Sequence, residues 1–270
     1  MLEYYSNLDE TLFMILHTHS SGKFDSRATP IVLIHGLFGS YENLGVIERS
    51  LSEHYHVINV DVRNHGRSGH SDQMSYPLMA TDLAQTLDAL EIPQAVLLGH
   101  SMGGKLAMAF ALKYPERVTK LILADIAPVS YPPRHASIFE GLMAVDLNKL
   151  TSRAEADKLL TPHINEPGVR QFLLKSLIKD DNAFHWRFNL TALKQNYSAL
   201  IDGPQTDGQY DGPTLFIKGG ESDYIQAEHR PIIAKLFPNA QAKIIQGTGH
   251  WLHAEKPAAF TRLVQAFLLS

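Results

Sequence analysis

The chain has 270 residues, 44% hydrophobic and 19% charged, which suits a folded globular protein and argues against disorder. Its 24 basic and 28 acidic side chains leave a net charge of -4, so no basic surplus points to nucleic acid or to an anionic membrane surface. With no cysteine there is no disulfide, no cysteine-ligated metal and no thiolate nucleophile.

Residues 1–13 carry acids where a secretory signal needs basic residues, and Met14 offers an alternative start. They are set aside as a leader. Short apolar runs then alternate with helical patterns. Residues 30–35, 57–61, 95–99 and 121–125 are compact apolar or β-branched runs that stop at Gly or Asp. Runs of that kind suit strands buried on both faces of a sheet. Between them, residues 79–90 place Met79, Leu83, Leu87 and Leu90 on one helical face, with Asp82 and Asp88 turned away. Residues 102–113 form the next helix, which stops before Tyr114-Pro115. From 127 to 205 the alternation fails. Helices are expected there at 136–145, 153–160 and 168–178, and 203–208 reads as a return loop. Strands resume at 214–218 and 242–246, and a helix over 257–269 closes the chain, with Pro257 in its first turn.

Strand–helix alternation predicts an α/β fold with a mostly parallel sheet flanked by helices. Residues 1–126 and 206–270 form the core, and 127–205 form a helical cap placed to act as a lid. No apolar run approaches the roughly 20 residues that span a bilayer. The expectation is a cytoplasmic monomer that acts on a small molecule, with no nucleic acid or membrane partner, no metal and no cofactor.

The sharpest motif is Gly99-His100-Ser101-Met102-Gly103, between an expected strand and an expected helix. A G-x-S-x-G in that setting holds its serine on a tight turn above the sheet edge, with helix amides nearby. Serine needs a base. His250 lies between the last strand and the last helix, on the same edge, with His253 as competitor. A metal site of His250, His253 and Glu255 is the weaker alternative. An orienting acid comes between serine and histidine in chain order. Asp125 and Asp223 both end strands, spacing does not separate them, and Glu221 is more distant. His35-Gly36-Leu37-Phe38-Gly39-Ser40 supplies a loop whose amides, Leu37 or Phe38 together with Met102, suit an oxyanion hole. Residues 61–68 read as a polar structural turn pinned by Arg63 and Asp61.

HGLFGS, DxRNHGxS, GHSMGG, ADIAP, WRFN and GHWLHAEKP occur here in order. With them residues 14–270 resemble the α/β-hydrolase-fold serine esterases, and more closely the bacterial YbfF-type esterases. The resemblance implies an eight-stranded sheet with a helical cap and cofactor-free hydrolysis of carboxylic ester or thioester bonds. It makes Ser101 the nucleophile and His250 the base. The family pattern favours Asp125 as acid, whereas the wider superfamily more often uses the position of Asp223. Phe38, Met102, Trp186 and Phe188 are candidates for an apolar substrate wall, and Arg187 for meeting an anionic group. Lys105 and Arg134 are the basic residues considered for the pocket mouth, should the substrate be an acyl-CoA. A ligand receptor without turnover is the alternative from another class.

Overall fold

The computed structural model describes residues 13–25, 28–180, 183–206 and 208–270. The leader expectation therefore falls almost wholly outside the described residues. Nine strands are described: β1 (Thr18–Ser21), β2 (Ile31–Ile34), β3 (Val57–Val60), β4 (Ala95–His100), β5 (Val118–Ala124), β6 (Leu177–Asp180), β7 (Ala183–Trp186), β8 (Thr214–Gly219) and β9 (Ala240–Ile245). Seven of them make one sheet in the order β1-β3-β2-β4-β5-β8-β9, parallel except for β1. Among the described residues the main sheet thus has seven strands, not eight. Strand β1 has no apolar run to betray it. It joins the edge of β3 through backbone pairing alone, which asks nothing of its Thr-His-Ser-Ser side chains.

The helices are α1 (Gly45–Leu51), α2 (Tyr76–Ala89), α3 (Met102–Lys113), α4 (Ala136–Ala144), α5 (Arg153–Leu160), α6 (Pro167–Leu174), α7 (Leu190–Gln195), α8 (Tyr197–Ile201), α9 (Arg230–Leu236), α10 (Leu252–Glu255) and α11 (Pro257–Leu269). The period-two geometry of a strand sends alternate side chains to opposite faces. Val32 and Ile34 of β2, Leu97 of β4 and Leu121 and Leu123 of β5 pack toward α2 and α3. Ile31, Leu33, Val96, Leu98 and Ile122 pack on the other face, against Ile47 and Leu51 of α1 and Phe260 and Val264 of α11. Both faces are dry, which is why these strands read as continuous apolar runs. Strand β9 departs from that expectation: it is the sheet's edge, and Ile244 is 54% exposed.

One polar detail also differs. Asp82 is fully buried rather than turned away, because Arg63 reaches it with Nε and Nη2 at 2.6 and 2.8 Å. Breaking a buried pair of this kind costs about 3–5 kcal/mol. Arg63 thus pins the 61–68 turn by tying it to α2. Asp61 pins the same turn, accepting from the backbone N–H groups of Tyr41 and Arg67.

Between β5 and β8 the chain leaves the sheet, builds α4 to α8 and returns. The expected helix over 168–178 ends at Leu174, and the chain then forms an antiparallel β6–β7 hairpin. Ser176 Oγ donates to the Phe38 carbonyl, and Tyr76 Oη donates to the Leu200 carbonyl. These bonds hold the inserted segment over the carboxyl edge of the sheet. Among the described residues no helix is long and apolar enough to cross a membrane.

Candidate active site

Ser101 follows β4 and opens α3 with φ 54° and ψ -119°. An L-residue avoids that region, at a cost of about 1–3 kcal/mol, and the packing around the turn enforces it. A Cβ on Gly99 would strike the Gly103 carbonyl, and one on Gly103 would strike the Ile34 carbonyl. Only glycines let the turn press this close to β2, so the motif is a steric requirement.

The turn aims Ser101 Oγ at His250 Nε2, 2.9 Å away. On the far side of the ring, His250 Nδ1 lies 2.8 Å from Asp125 Oδ2. A carboxylate only accepts, so the shared proton sits on Nδ1 and Nε2 is left to accept from the serine hydroxyl. Asp125 is fully buried, with φ 52° just past β5. Its Oδ1 accepts from the Gly219 amide at 3.0 Å, and Ser222 Oγ donates to Oδ2. Asp223 does not reach His250. It pairs with Arg134 at 2.6 Å near the surface, and that guanidinium holds its carboxyl below the usual range. Glu221 is exposed, and its amide donates to the Thr248 carbonyl.

His250 is steadied by two residues that sequence reasoning passed over. His100 Nε2 donates to the His250 carbonyl at 2.9 Å, and the Tyr224 ring stacks on the imidazole at 3.8 Å. His253, the competing base, is buried against His100, and burial holds its pKa down to about 3. Glu255 accepts from the Gly249 amide. Those two residues serve the loop around His250, and no group of three or more metal-ligating side chains forms among the described residues.

The HGLFGS loop lies against the serine turn: a Cβ on Gly36 would meet His100 Nδ1 at 3.2 Å and Ser101 Cβ at 3.4 Å. Its two candidate amides now separate. The Phe38 N–H donates to His65 Nε2 at 3.1 Å, with Phe38 at φ 62°. Among the described residues the Leu37 N–H has no such acceptor. The Met102 N–H is the first of α3, where an amide has no carbonyl four residues back in the helix. Leu37 and Met102 are therefore the free donors, and Phe38 is the residue whose amide is spent holding the loop. His35 braces the same loop, donating from Nδ1 to the Gly36 carbonyl and accepting at Nε2 from the Val62 amide. Burial lowers the pKa of both histidines, that of His65 to about 3. Both stay neutral, as acceptors must.

Two cavities meet at Ser101. An inner one runs from Leu37 and Met102 toward Tyr131, Tyr76 and Lys105. A larger outer one is lined by His250, Phe38, Phe172 and Trp251. Met102 and Phe38 thus face substrate space, but Trp186, Phe188 and Arg187 line neither cavity. The Trp186 and Phe188 rings stack at 5.4 Å and pack behind Phe38, while Arg187 pairs with Glu42 at 2.9 Å. Their sequence signal, aromatics in the inserted segment, marks packing of that segment onto the core. Tyr131, Tyr197 and Tyr224 are among the cavity aromatics that no sequence signal marked. They stand in three loop or helix segments with no shared motif. Lys105 is also displaced from expectation: it is 3% exposed, at the base of the inner cavity and not at its mouth.

A sequence model of the α/β hydrolase fold matches residues 29–257. The protein named Esterase YbfF of Escherichia coli strain K12 is 45% identical over 241 residues, covering 89% of this chain and 93% of its own. The sn-1-specific diacylglycerol lipase ABHD11 of Mus musculus is 40% identical over 252 residues, covering 90% of this chain and 82% of its own. Among solved structures, a marine microorganism esterase superposes with a TM-score of 0.91 at 36% identity, covering 94% of this chain and 99% of that one.

Proposed function

The chain belongs to the α/β-hydrolase family, and on that premise we propose that this ester-hydrolysing enzyme works through a Ser101–His250–Asp125 triad and an acyl-enzyme. The observation that carries the reading is the unbroken hydrogen-bonded line from Ser101 Oγ through His250 to Asp125. Ser101 Oγ attacks the acyl carbon as His250 Nε2 takes its proton. The oxyanion that forms is met by the amides of Leu37 and Met102. The Nδ1–H bond to Asp125 stabilises the imidazolium. Protonated Nε2 then passes its proton to the leaving alcohol, and a water activated by the same nitrogen clears the acyl group from Ser101.

The substrates are carboxylic esters with an apolar acyl group, in keeping with the esterase and lipase names of its relatives and with the largely apolar inner cavity. Residues 127–205 act as the cap of this site, and residues 1–126 with 206–270 as its core. The test is hydrolysis of p-nitrophenyl butyrate together with labelling by a fluorophosphonate. The wild-type protein should turn over the ester and take up one label. Ser101→Ala should take up none and lose at least about 10⁴-fold in kcat. Undiminished turnover in that variant overturns the mechanism.

A further inference from the structure

Lys105 stands one helical turn beyond Ser101, and its backbone N–H donates to the Ser101 carbonyl. Its side chain points into the protein, where an ammonium needs acceptors. It finds three backbone carbonyls: Val129 at 2.9 Å, Ile201 at 2.8 Å and Asp202 at 2.6 Å. Val129 lies where the chain leaves the sheet for the inserted segment, and Ile201 and Asp202 lie where it returns. The same ammonium sits 4.7 Å from the centre of the Tyr131 ring and 6.0 Å from that of Tyr76. With all three donors engaged, it is a fixed wall and not a ligand for an anionic substrate.

The wall has cavities on both sides. Beyond the inner cavity lies a third, lined by Pro77, Ala109, Leu112, Ala199 and Asp202 to Thr206. The inner and third cavities share Tyr76 and Lys105 among their lining residues and no others. Tyr76 is held in place by its bond to the Leu200 carbonyl, 2.6 Å long.

Which part of an ester faces this wall follows from the proton path, and so rests on the reading of Ser101 and His250 given above. The leaving alcohol takes its proton from His250 Nε2, so it lies beside His250. That histidine lines the outer cavity and not the inner one. The acyl group therefore occupies the inner cavity and runs toward Lys105 and Tyr76. We propose that Lys105 and Tyr76 form an acyl-length stop, a partition that ends the acyl pocket and separates it from a second, unused cavity on the far side. An acyl chain that reaches the partition has nowhere to put further methylenes. Without it, the chain continues into the third cavity, between α3 and the loop that follows α8.

The experiment compares kcat/KM for p-nitrophenyl acetate, butyrate, hexanoate and decanoate in the wild type, Lys105→Met and Tyr76→Leu. Methionine keeps most of the lysine's length but gives up the three carbonyls and can swing aside. Tyr76→Leu thins the partition from the other side while Lys105 stays anchored. The decanoate-to-butyrate ratio should rise at least about tenfold in each variant, the scale set by a few methylenes admitted to or barred from an apolar pocket. A purely structural Lys105, acting only as a clasp on the inserted segment, would lower all four rates together and leave the ratio unmoved; that result overturns the proposal. If Lys105→Met does not fold, Tyr76→Leu decides alone: a raised ratio supports the stop, and an unchanged ratio removes it. A wild type that cleaves none of the four esters removes the ester-hydrolase reading itself, and the stop with it, and is told apart by its silence at every chain length.

Discussion

Strands β5 and β8 lie side by side, and each offers an aspartate just beyond its carboxyl end. The two carboxylates share chemistry and neighbourhood but not environment. Asp125 is fully buried, and its oxygens are taken by an amide, a hydroxyl and the imidazole of His250. Asp223 is at the surface, its side chain 60% exposed, and is committed to Arg134. An exposed pair of that kind contributes little, about 0–1 kcal/mol, and leaves the carboxylate free to wander. A buried carboxylate with both oxygens engaged cannot wander, and a general base needs an orienting group that does not. Burial, and not proximity in the fold, separates the two positions.

The most severe test of that contrast is a pair of substitutions. Asp125→Asn should lower kcat for p-nitrophenyl butyrate by up to about 10⁴-fold, as an amide there favours the wrong tautomer of His250. Asp223→Asn should change it by less than about threefold, the scale of a lost surface pair. Equal losses in the two variants would break the comparison, and a larger loss at Asp223 would reverse it.

A second test asks whether buried ties matter elsewhere on the edge. His65 touches no substrate cavity, yet it holds the Phe38 amide and with it the attitude of the Leu37 amide. His65→Ala should lower kcat by about 10- to 100-fold with little change in KM, a fraction of the loss from deleting an oxyanion donor outright. His65→Gln, whose carbonyl can accept the same N–H, should recover part of it. Alanine at wild-type kcat would show that the loop needs no such tie.

The last test is on stability and not on rate. Burial holds His65 and His253 near pKa 3, against about 6.5 in an unfolded chain. Between those values the unfolded chain binds protons that the folded chain refuses, so stability is full above pH 6.5 and is lost as pH falls toward 3. Each of the two contributes a slope of about 1.4 kcal/mol per pH unit in that window. Urea midpoints at pH 7.5, 6.0 and 5.0 should therefore fall in that order. A flat series would mean that these histidines are not held neutral.

Much of the fold was legible because its signals are local. A strand buried on both faces must be apolar throughout, so β2, β3, β4, β5 and β8 announce themselves. Strand β1 and the β6–β7 hairpin do not, because backbone pairing at an edge or over the core leaves no apolar period to read. The serine turn was legible for a steric reason: the glycines on either side of Ser101 are the residues whose Cβ atoms have no room.

By itself, then, the sequence determined the parallel sheet, the strained serine turn, and the set of loops that share the sheet's carboxyl edge with it. Each follows from rules that act within a few residues. Only the tertiary structure decided which aspartate meets His250, which amide of the HGLFGS loop stays free, that Arg63 answers Asp82, and that Lys105 is a buried wall while Trp186 and Phe188 are packing. These outcomes depend on partners far away along the chain. A hydrogen bond or an ion pair is settled by which groups are buried together at bonding distance, and the order of residues along the chain does not state that.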